Sequence, residues 1–367
     1  MDITAAVIEE AGSPFVLKQV ELADPGPDEV LVELHATGLC HTDLAVQHGF
    51  TPFPLPGVLG HEGSGVVRAV GPGVLGLAAG DHVALSFASC GECGNCRDKV
   101  PSYCDTFVAR NFMGARIDGT RPLSLDGAGL GSNFFGQSSF ASHTVAHTRS
   151  VVKIPAEVPL PLAAPLGCGV QTGAGAVLNS LQVTAGSSVL VLGGGSVGLS
   201  AVMGAVLAGA ETVIVVEPLE SRRLVAKDLG ATHVLDPEDG GIAEQVRGIV
   251  PQGVRYAVDT TAKSAVLAEV VQAMAKRGRV ALLGIPSEPT AVLPLSLGLS
   301  QILGLSVVGV VEGDSDPHTF IPWLLDQYLQ GRFPLDRLVT TLPFADINEA
   351  AAAQVRGDAI KVVLTHR

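Results

Sequence analysis

Charge is scarce in this sequence. Only 16% of its 367 residues are charged, against about 25% in an ordinary soluble chain. Basic residues are the scarcer sign: 23 Lys and Arg stand against 36 Asp and Glu, a net charge of −13. A general nucleic-acid binder needs a basic face, so that class is excluded. Aromatics make up 4%, with a single Trp, so the apolar mass is aliphatic. A leader-like start is missing as well. Residues 1–12 carry Asp2, Glu9 and Glu10 and no Lys or Arg, whereas a secretory signal opens with a basic stretch followed by an apolar one. The chain is therefore read as cytosolic, where disulfides are rare.

What is abundant is aliphatic and small. Apolar residues are 47% and Gly contributes 44 positions, well above the roughly 7% that is usual. Such a chain buries large cores and turns tightly. Its length fits two domains, at roughly 100–200 residues each. Residues 158 to 210 contain no charged side chain, longer than the roughly 20 residues of a membrane helix. Pro159, Pro161, Pro165, Asn179, Gln182 and Gly193-Gly194-Gly195 interrupt that run. A buried strand, a glycine turn and a helix account for it, and no membrane association is expected.

The first 150 residues hold short β-branched runs at 30–34, 65–70, 81–85 and 142–146, bounded by Gly and Pro, which predict an irregular β domain. From about Ser187 strands and helices alternate. Strands are predicted at 188–192, 212–216, 257–259, 279–283 and 305–311, with helices at 197–208, 221–229 and 265–275. That alternation implies parallel pairing through right-handed crossovers. Beyond Glu312 come helices at 320–329 and 347–355 and a strand at 361–365.

The run 188–192 leads into Gly193-Gly194-Gly195-Ser196-Val197-Gly198, a G-x-G-x-x-G turn between a strand and a helix. Gly193 permits the tight turn, Gly195 the close approach of a pyrophosphate, and Gly198 the packing of helix on strand. The helix start then offers free N–H groups and a positive dipole end. Glu217, closing the next strand, is placed to bind a ribose 2′-hydroxyl and repel a 2′-phosphate. NAD is therefore favoured over NADP, although Arg222 and Arg223 weaken the preference.

Four of six cysteines, Cys90, Cys93, Cys96 and Cys104, form C-x₂-C-x₂-C-x₇-C. Four clustered thiolates suit a closed structural zinc site. The ferredoxin iron–sulfur motif begins alike but continues x₃-C-P, and here the gap is seven and Asp105 follows. Cys40 and Cys168 stand apart. With His61 they would make an open catalytic zinc site of two Cys and one His. Spacing alone leaves this open against two lone buried cysteines and a hydrogen-bonded histidine.

Taken together, these residues resemble the zinc-dependent medium-chain alcohol dehydrogenase family. Gly60, His61, Glu62, Gly65, Gly71 and Val74 match its G-H-E-x₂-G-x₅-G-x₂-V pattern. The four-cysteine spacing agrees, and Gly167-Cys168-Gly169-Val170-Gln171-Thr172-Gly173 is similar to its third-ligand segment. The resemblance spans essentially the whole chain. It implies an α/β protein with a GroES-like β-rich catalytic domain, 1–169 and 312–367, carrying a structural zinc lobe at about 88–106. A Rossmann doubly wound parallel-sheet domain at 170–311 would bind NAD, with substrate in the cleft between. It implies two Zn²⁺ per chain: a catalytic one on Cys40, His61 and Cys168, and a structural one on the other four cysteines. It gives Thr42 the hydroxyl that meets the alcohol, Asp43 the orienting of His61, and Glu62 a place beside the metal. His41 and Lys361 would face the cofactor pyrophosphate, and Thr172 and Val197 would pack around the nicotinamide.

Within the family, Phe134-Phe135-Gly136-Gln137-Ser138-Ser139-Phe140 and Glu312-Gly313-Asp314-Ser315 are most similar to aryl-alcohol (benzyl-type) dehydrogenases. Phe134 and Phe135 would line the substrate pocket, Tyr103 would join them, and Ser86 would widen it. Primary aromatic or allylic alcohols and their aldehydes are the expected substrates. One departure concerns the proton relay: Ala45 stands where many members carry a His, and His48 lies three residues further on. Protons are expected to leave through Thr42, the cofactor ribose and water. A thiol-dependent formaldehyde dehydrogenase is the alternative of the same family, and a zinc-free or non-catalytic NAD-binding protein the alternative of another class. The segment from Arg110 to Phe134 resembles a loop of dimeric members, so a homodimer is expected, with a tetramer open.

Overall fold

The computed structural model describes residues 1–286 and 290–366. They form two compact units. The first comprises Met1–Cys168, Asp316–Asp326 and Val339–Arg367, the second Gly169–Ser315 and Gln327–Leu338. The segment 327–338, read from sequence with the catalytic part, belongs to the second unit, because Phe333, Leu335 and Leu338 are buried there.

The first unit is β-rich. A seven-stranded sheet runs in the order Val151–Lys153, His82–Leu85, Gly63–Val70, Glu29–Gly38, Lys361–Thr365 and Val339–Pro343, and His143–His147 also pairs with Glu29–Gly38. Glu29–Gly38 is central because its inward residues Val30, Val32 and Leu34 are apolar and at most 1% exposed, the period-two pattern of a strand with one packed face. Lys361–Thr365 lies antiparallel to it, with Val363 opposite Gly38. A five-stranded sheet, Gly57–Val58, Asp2–Ile8, Val16–Leu22, Leu123–Leu125 and Ala128–Gly129, lies in the same unit. Val7, Leu39, Leu59, Phe134, Phe140, Val362 and Leu364 belong to one buried cluster. That cluster fixes the short helix His41–Gln47, whose Thr42 to Val46 are all buried.

The second unit carries six parallel strands in the order His233–Leu235, Thr212–Val216, Ser188–Leu192, Val254–Asp259, Met274–Leu282 and Ser306–Gly309. Numbered along the chain this is 3-2-1-4-5-6, the Rossmann arrangement, whose switch point lies beside the first strand. Val189, Leu190, Val191 and Leu192 are all fully buried, as a strand covered on both faces must be. Each contributes about 1.5–3 kcal/mol of apolar burial. The helix predicted at 265–275 ends earlier, at Ala273, and Met274 already opens the next strand. Among the described residues no helix is long and apolar enough to cross a membrane.

Candidate active site and cofactor-binding turn

Cys40 ends the strand–loop that follows Glu29–Gly38 and caps the helix His41–Gln47. Three residues on, Asp43 turns back. Its Oδ2 accepts the Cys40 N–H at 2.9 Å, and its Oδ1 accepts the Gly60 N–H and His61 Nδ1–H, both at 3.0 Å. Asp43 and His61 are fully buried. A carboxylate on Nδ1 selects the tautomer whose Nε2 lone pair is available. His61 Nε2 is buried and has no hydrogen-bond partner. It shares its surroundings with Cys40, Cys168 and Glu62, whose potential ligand atoms all lie within 4.8 Å of one another.

The electrostatics fit a cation here. Burial alone would push the His61 imidazole down, but Asp43 and Cys40 outweigh it and hold the ring well above its ordinary value. Cys40 is held well below the ordinary thiol range, chiefly by a hydrogen bond from Cys168 and also by His61 and Lys361, against the cost of burial. A buried imidazole nitrogen beside two sulfurs is a donor set that suits a metal ion. Glu62 is pushed up to about 7, first by burial, while Lys361 pulls the other way. Lys361 Nζ lies 2.5 Å from Glu62 Oε2 and donates to the Leu39 carbonyl at 2.9 Å.

A second group, Cys90, Cys93, Cys96 and Cys104, also has its sulfurs within 4.8 Å of one another. None of the six cysteines is in a disulfide. Cys90 Sγ accepts the N–H groups of Glu92 and Cys93 at 3.4 and 3.3 Å, and Cys104 Sγ accepts that of Cys90 at 3.2 Å. Backbone N–H groups aimed at sulfur suit thiolates. Burial and the neighbouring thiols push Cys96 up to about 12. A metal removes that crowding.

In the second unit Gly193 has φ +96°, a turn that side chains rarely enter. A Cβ on Gly198 would overlap the Gly193 carbonyl oxygen, so helix and strand approach as only glycine allows. Gly195 caps the helix Ser196–Leu207. Glu217, 4% exposed, accepts the Gly194 N–H at 2.6 Å and the Leu219 N–H at 2.9 Å, which pins its carboxylate beside the turn. Arg223 donates to the Glu217 and Pro218 carbonyls, both at 2.7 Å, and pairs with Asp236 at 2.8 Å. Arg222 packs near Gly194. Thr172 and Val197 are half-buried, and a Cβ on Gly173 would overlap the Val197 carbonyl, so these two segments pack backbone to backbone.

Several side chains sit otherwise than their sequence positions suggest. Phe134 and Phe135, expected as substrate walls, are 0% and 5% exposed and pack on His61. Phe135 stacks on the imidazole with centroids 4.5 Å apart, and Phe134 meets it edge-on at 5.4 Å. Ser86, expected to widen the pocket, is fully buried, and its hydroxyl donates to the Gly167 carbonyl at 2.7 Å. Lys361, expected against the pyrophosphate, is 2% exposed and committed to Glu62. Tyr103 is exposed on the four-cysteine lobe, as is His41 at its helix start. Thr42 is buried, its hydroxyl 3.7 Å from Cys40 Sγ. Gln137, given no role of its own within the segment 134–140, has a buried amide that bonds to Gly63, His61 and Ser86.

Residues 26–156 match the family described as alcohol dehydrogenase GroES-like domain, and residues 196–327 match that described as zinc-binding dehydrogenase. A geraniol dehydrogenase of Castellaniella defragrans is 46% identical over 98% of this chain and 96% of its own length. The chain belongs to the zinc-binding alcohol dehydrogenases. This alcohol dehydrogenase superposes on the crystal structure of an alcohol dehydrogenase zinc-binding domain protein from Burkholderia ambifaria with a TM-score of 0.97. The two are 47% identical, over 100% of this chain and 99% of that one. It also superposes on benzyl alcohol dehydrogenase from Acinetobacter calcoaceticus with a TM-score of 0.96 at 42% identity, again over 100% and 99% of the two chains. As a member of this family the chain is an oxidoreductase acting on alcohols and aldehydes.

Proposed function

We propose that this enzyme interconverts primary aromatic or allylic alcohols and their aldehydes with NAD, using zinc held by Cys40, His61 and Cys168. A second zinc held by Cys90, Cys93, Cys96 and Cys104 is structural. The observation that carries the metal reading is the convergence of two sulfurs and an unpartnered imidazole Nε2 beside a buried Glu62. The substrate class rests on relatives named for a benzylic and an allylic alcohol at 42% and 46% identity across nearly the whole chain.

Zinc supplies Lewis-acid polarisation of the alcohol oxygen, and NAD supplies the hydride acceptor. The rest is work for the chain. Asp43 keeps His61 in the tautomer that leaves Nε2 open, and Phe135 and Phe134 hold the ring against rotation. Thr42, beside Cys40, receives the alcohol proton on its hydroxyl oxygen and passes its own onward. Lys361 neutralises Glu62, so that the buried carboxylate does not compete as a full negative charge. In the second unit Gly193, Gly195 and Gly198 shape the pyrophosphate turn, and Glu217 takes the ribose hydroxyls. His41, Thr172, Val197 and Arg222 remain the further cofactor contacts proposed.

NAD is favoured because Glu217 is a carboxylate fixed at the strand end and Arg223 is already committed to Asp236. A homodimer in the cytoplasm is the proposed state. Among the described residues Ser306–Gly309 is an edge strand, and Leu297 and Ile302 nearby in sequence are 85% and 74% exposed. An alcohol panel with NAD and NADP tests the reading. Benzyl alcohol and geraniol should exceed ethanol in kcat/KM by at least about tenfold, the scale of a few buried methylenes. Equal values for ethanol and benzyl alcohol would refute the substrate class.

A further inference from the structure

Asp43 ties His61 to Cys40, and a different set of contacts ties His61 to Cys168. The side-chain amide of Gln137 accepts the Gly63 N–H at 3.0 Å and donates to the carbonyls of His61 at 2.9 Å and Ser86 at 3.3 Å. Ser86 then donates its hydroxyl to the carbonyl of Gly167, the residue before Cys168, at 2.7 Å. Gln137 and Ser86 are 2% and 0% exposed. The path runs from residue 61 through 137 and 86 to 167 without leaving the protein interior.

An amide is the side chain this junction needs. It must offer two donors to carbonyls and one acceptor to an N–H, which neither a carboxylate nor a hydrocarbon can do. In the dry interior each of these groups, left unpaired, carries the full cost of its lost hydration. The segment that delivers the amide is strained: Asn133, Phe135 and Ser138 have φ of 61°, 50° and 52°. Non-glycine residues in that region persist only where the surroundings over-determine them. Here the strain turns Phe135 onto the His61 ring and Gln137 onto its backbone. The backbones are also in close contact, since a Cβ on Gly167 would overlap the Leu85 carbonyl and lie 3.6 Å from that of His61.

We propose that Gln137 and Ser86 are positioning residues, a buried clip that sets the separation of His61 from Cys168. The proposal rests on the reading that these two residues, with Cys40, hold the catalytic metal. Because the two contacts act in series, opening either one releases the same linkage. Loss of either should weaken metal retention at this site by roughly tenfold, the low end of what residues behind a metal ligand contribute. Loss of both should do little more than loss of one.

The test uses the whole enzyme loaded with Co²⁺ and the variants Gln137→Met, Ser86→Ala and their combination. Release to a chelator is followed through the cobalt d–d and thiolate charge-transfer bands. The four-cysteine lobe is the internal control. The expected result is about tenfold faster release from the Cys40/His61/Cys168 site in each single variant, an altered d–d spectrum there, and unchanged release from the lobe. The double variant should fall well short of the product of the singles. Release within twofold of wild type in Ser86→Ala, a small change that leaves the fold intact, would overturn the clip. So would effects that multiply in the double variant, or a lowered Tm with unchanged release. Wild-type protein that takes up cobalt at the lobe alone would overturn the underlying metal assignment instead, a separate outcome.

Discussion

Two glycines of the nucleotide turn should fail in different ways when each is given a methyl group. At Gly198 the new Cβ would overlap the Gly193 carbonyl oxygen and lie 3.0 Å from its carbon and 3.3 Å from Val191 Cγ1. Both are parts of a buried strand and turn, so nothing flexible can give way. The helix Ser196–Leu207, with Gly198 to Ala205 all buried, must shift by about 1 Å, at an overpacking cost of about 1–3 kcal/mol. The same shift spoils the alignment of the helix-start N–H groups with a bound pyrophosphate. One or two charge-assisted hydrogen bonds at about 1.5–3 kcal/mol each correspond to a Kd for NAD raised by at least about tenfold. At Gly195 the Cβ would meet nothing within 4 Å, and φ there is −78°. Gly195→Ala should therefore fold as well as wild type and still bind NAD at least about tenfold more weakly, because its methyl group occupies the space of the ligand. Calorimetric titration with NAD and thermal unfolding without it separate the two cases. Wild-type NAD affinity in Gly195→Ala would refute the placement of the pyrophosphate. Unchanged stability in Gly198→Ala would refute the packing argument.

Other substitutions probe the first unit. Lys361→Met leaves Glu62 buried without its cation and should destabilise by about 3–5 kcal/mol in urea unfolding; adding Glu62→Gln should recover part of that loss, and a double variant less stable than Lys361→Met would contradict the pairing. His48 is exposed and its Nδ1 is bonded to the Leu44 carbonyl, so His48→Ala should leave kcat and its pH profile unchanged, and a lowered kcat with a shifted profile would make it the relay's end. His366 is held down at about 4, mainly by burial. Its neutral form contributes stability that is complete above about pH 6.5 and is lost as pH falls toward 4, up to about 3 kcal/mol. His366→Leu should flatten that acid limb of the stability curve, and an unchanged slope would count against the assignment.

How much of this was legible in the sequence depends on how local the signal is. The glycine turn occupies six consecutive residues between a strand and a helix, and its geometry follows from where Cβ atoms cannot go. The four-cysteine lobe lies within 15 residues, so its clustering is visible in the spacing. The trio Cys40, His61 and Cys168 is not local, and only the family pattern brought it together. Phe134 and Phe135 read as pocket walls, but a strained turn decides which way they face, and the ring they meet is far off in the chain at His61. Gln137 is the extreme case. A glutamine between Gly136 and Ser138 reads as a polar loop residue, because its partners at 61, 63 and 86 are supplied by strand pairing far from it in the chain. The helix Ile242–Ile249 gives a weak signal in the sequence because its apolar face is brief, with Ile242 and Val246 as its buried residues.

The pairing of Lys361–Thr365 with Glu29–Gly38 also sets an order of events during synthesis. Lys361 leaves the ribosome about 300 residues after Glu62, a delay of roughly 15–60 s at ordinary translation rates. Throughout that interval the whole of the second unit emerges and is free to close on local crossovers, while Glu62 waits without its cation and the central strand without one neighbour. The nascent chain thus has every strand of the second unit available while Glu62 still lacks Lys361.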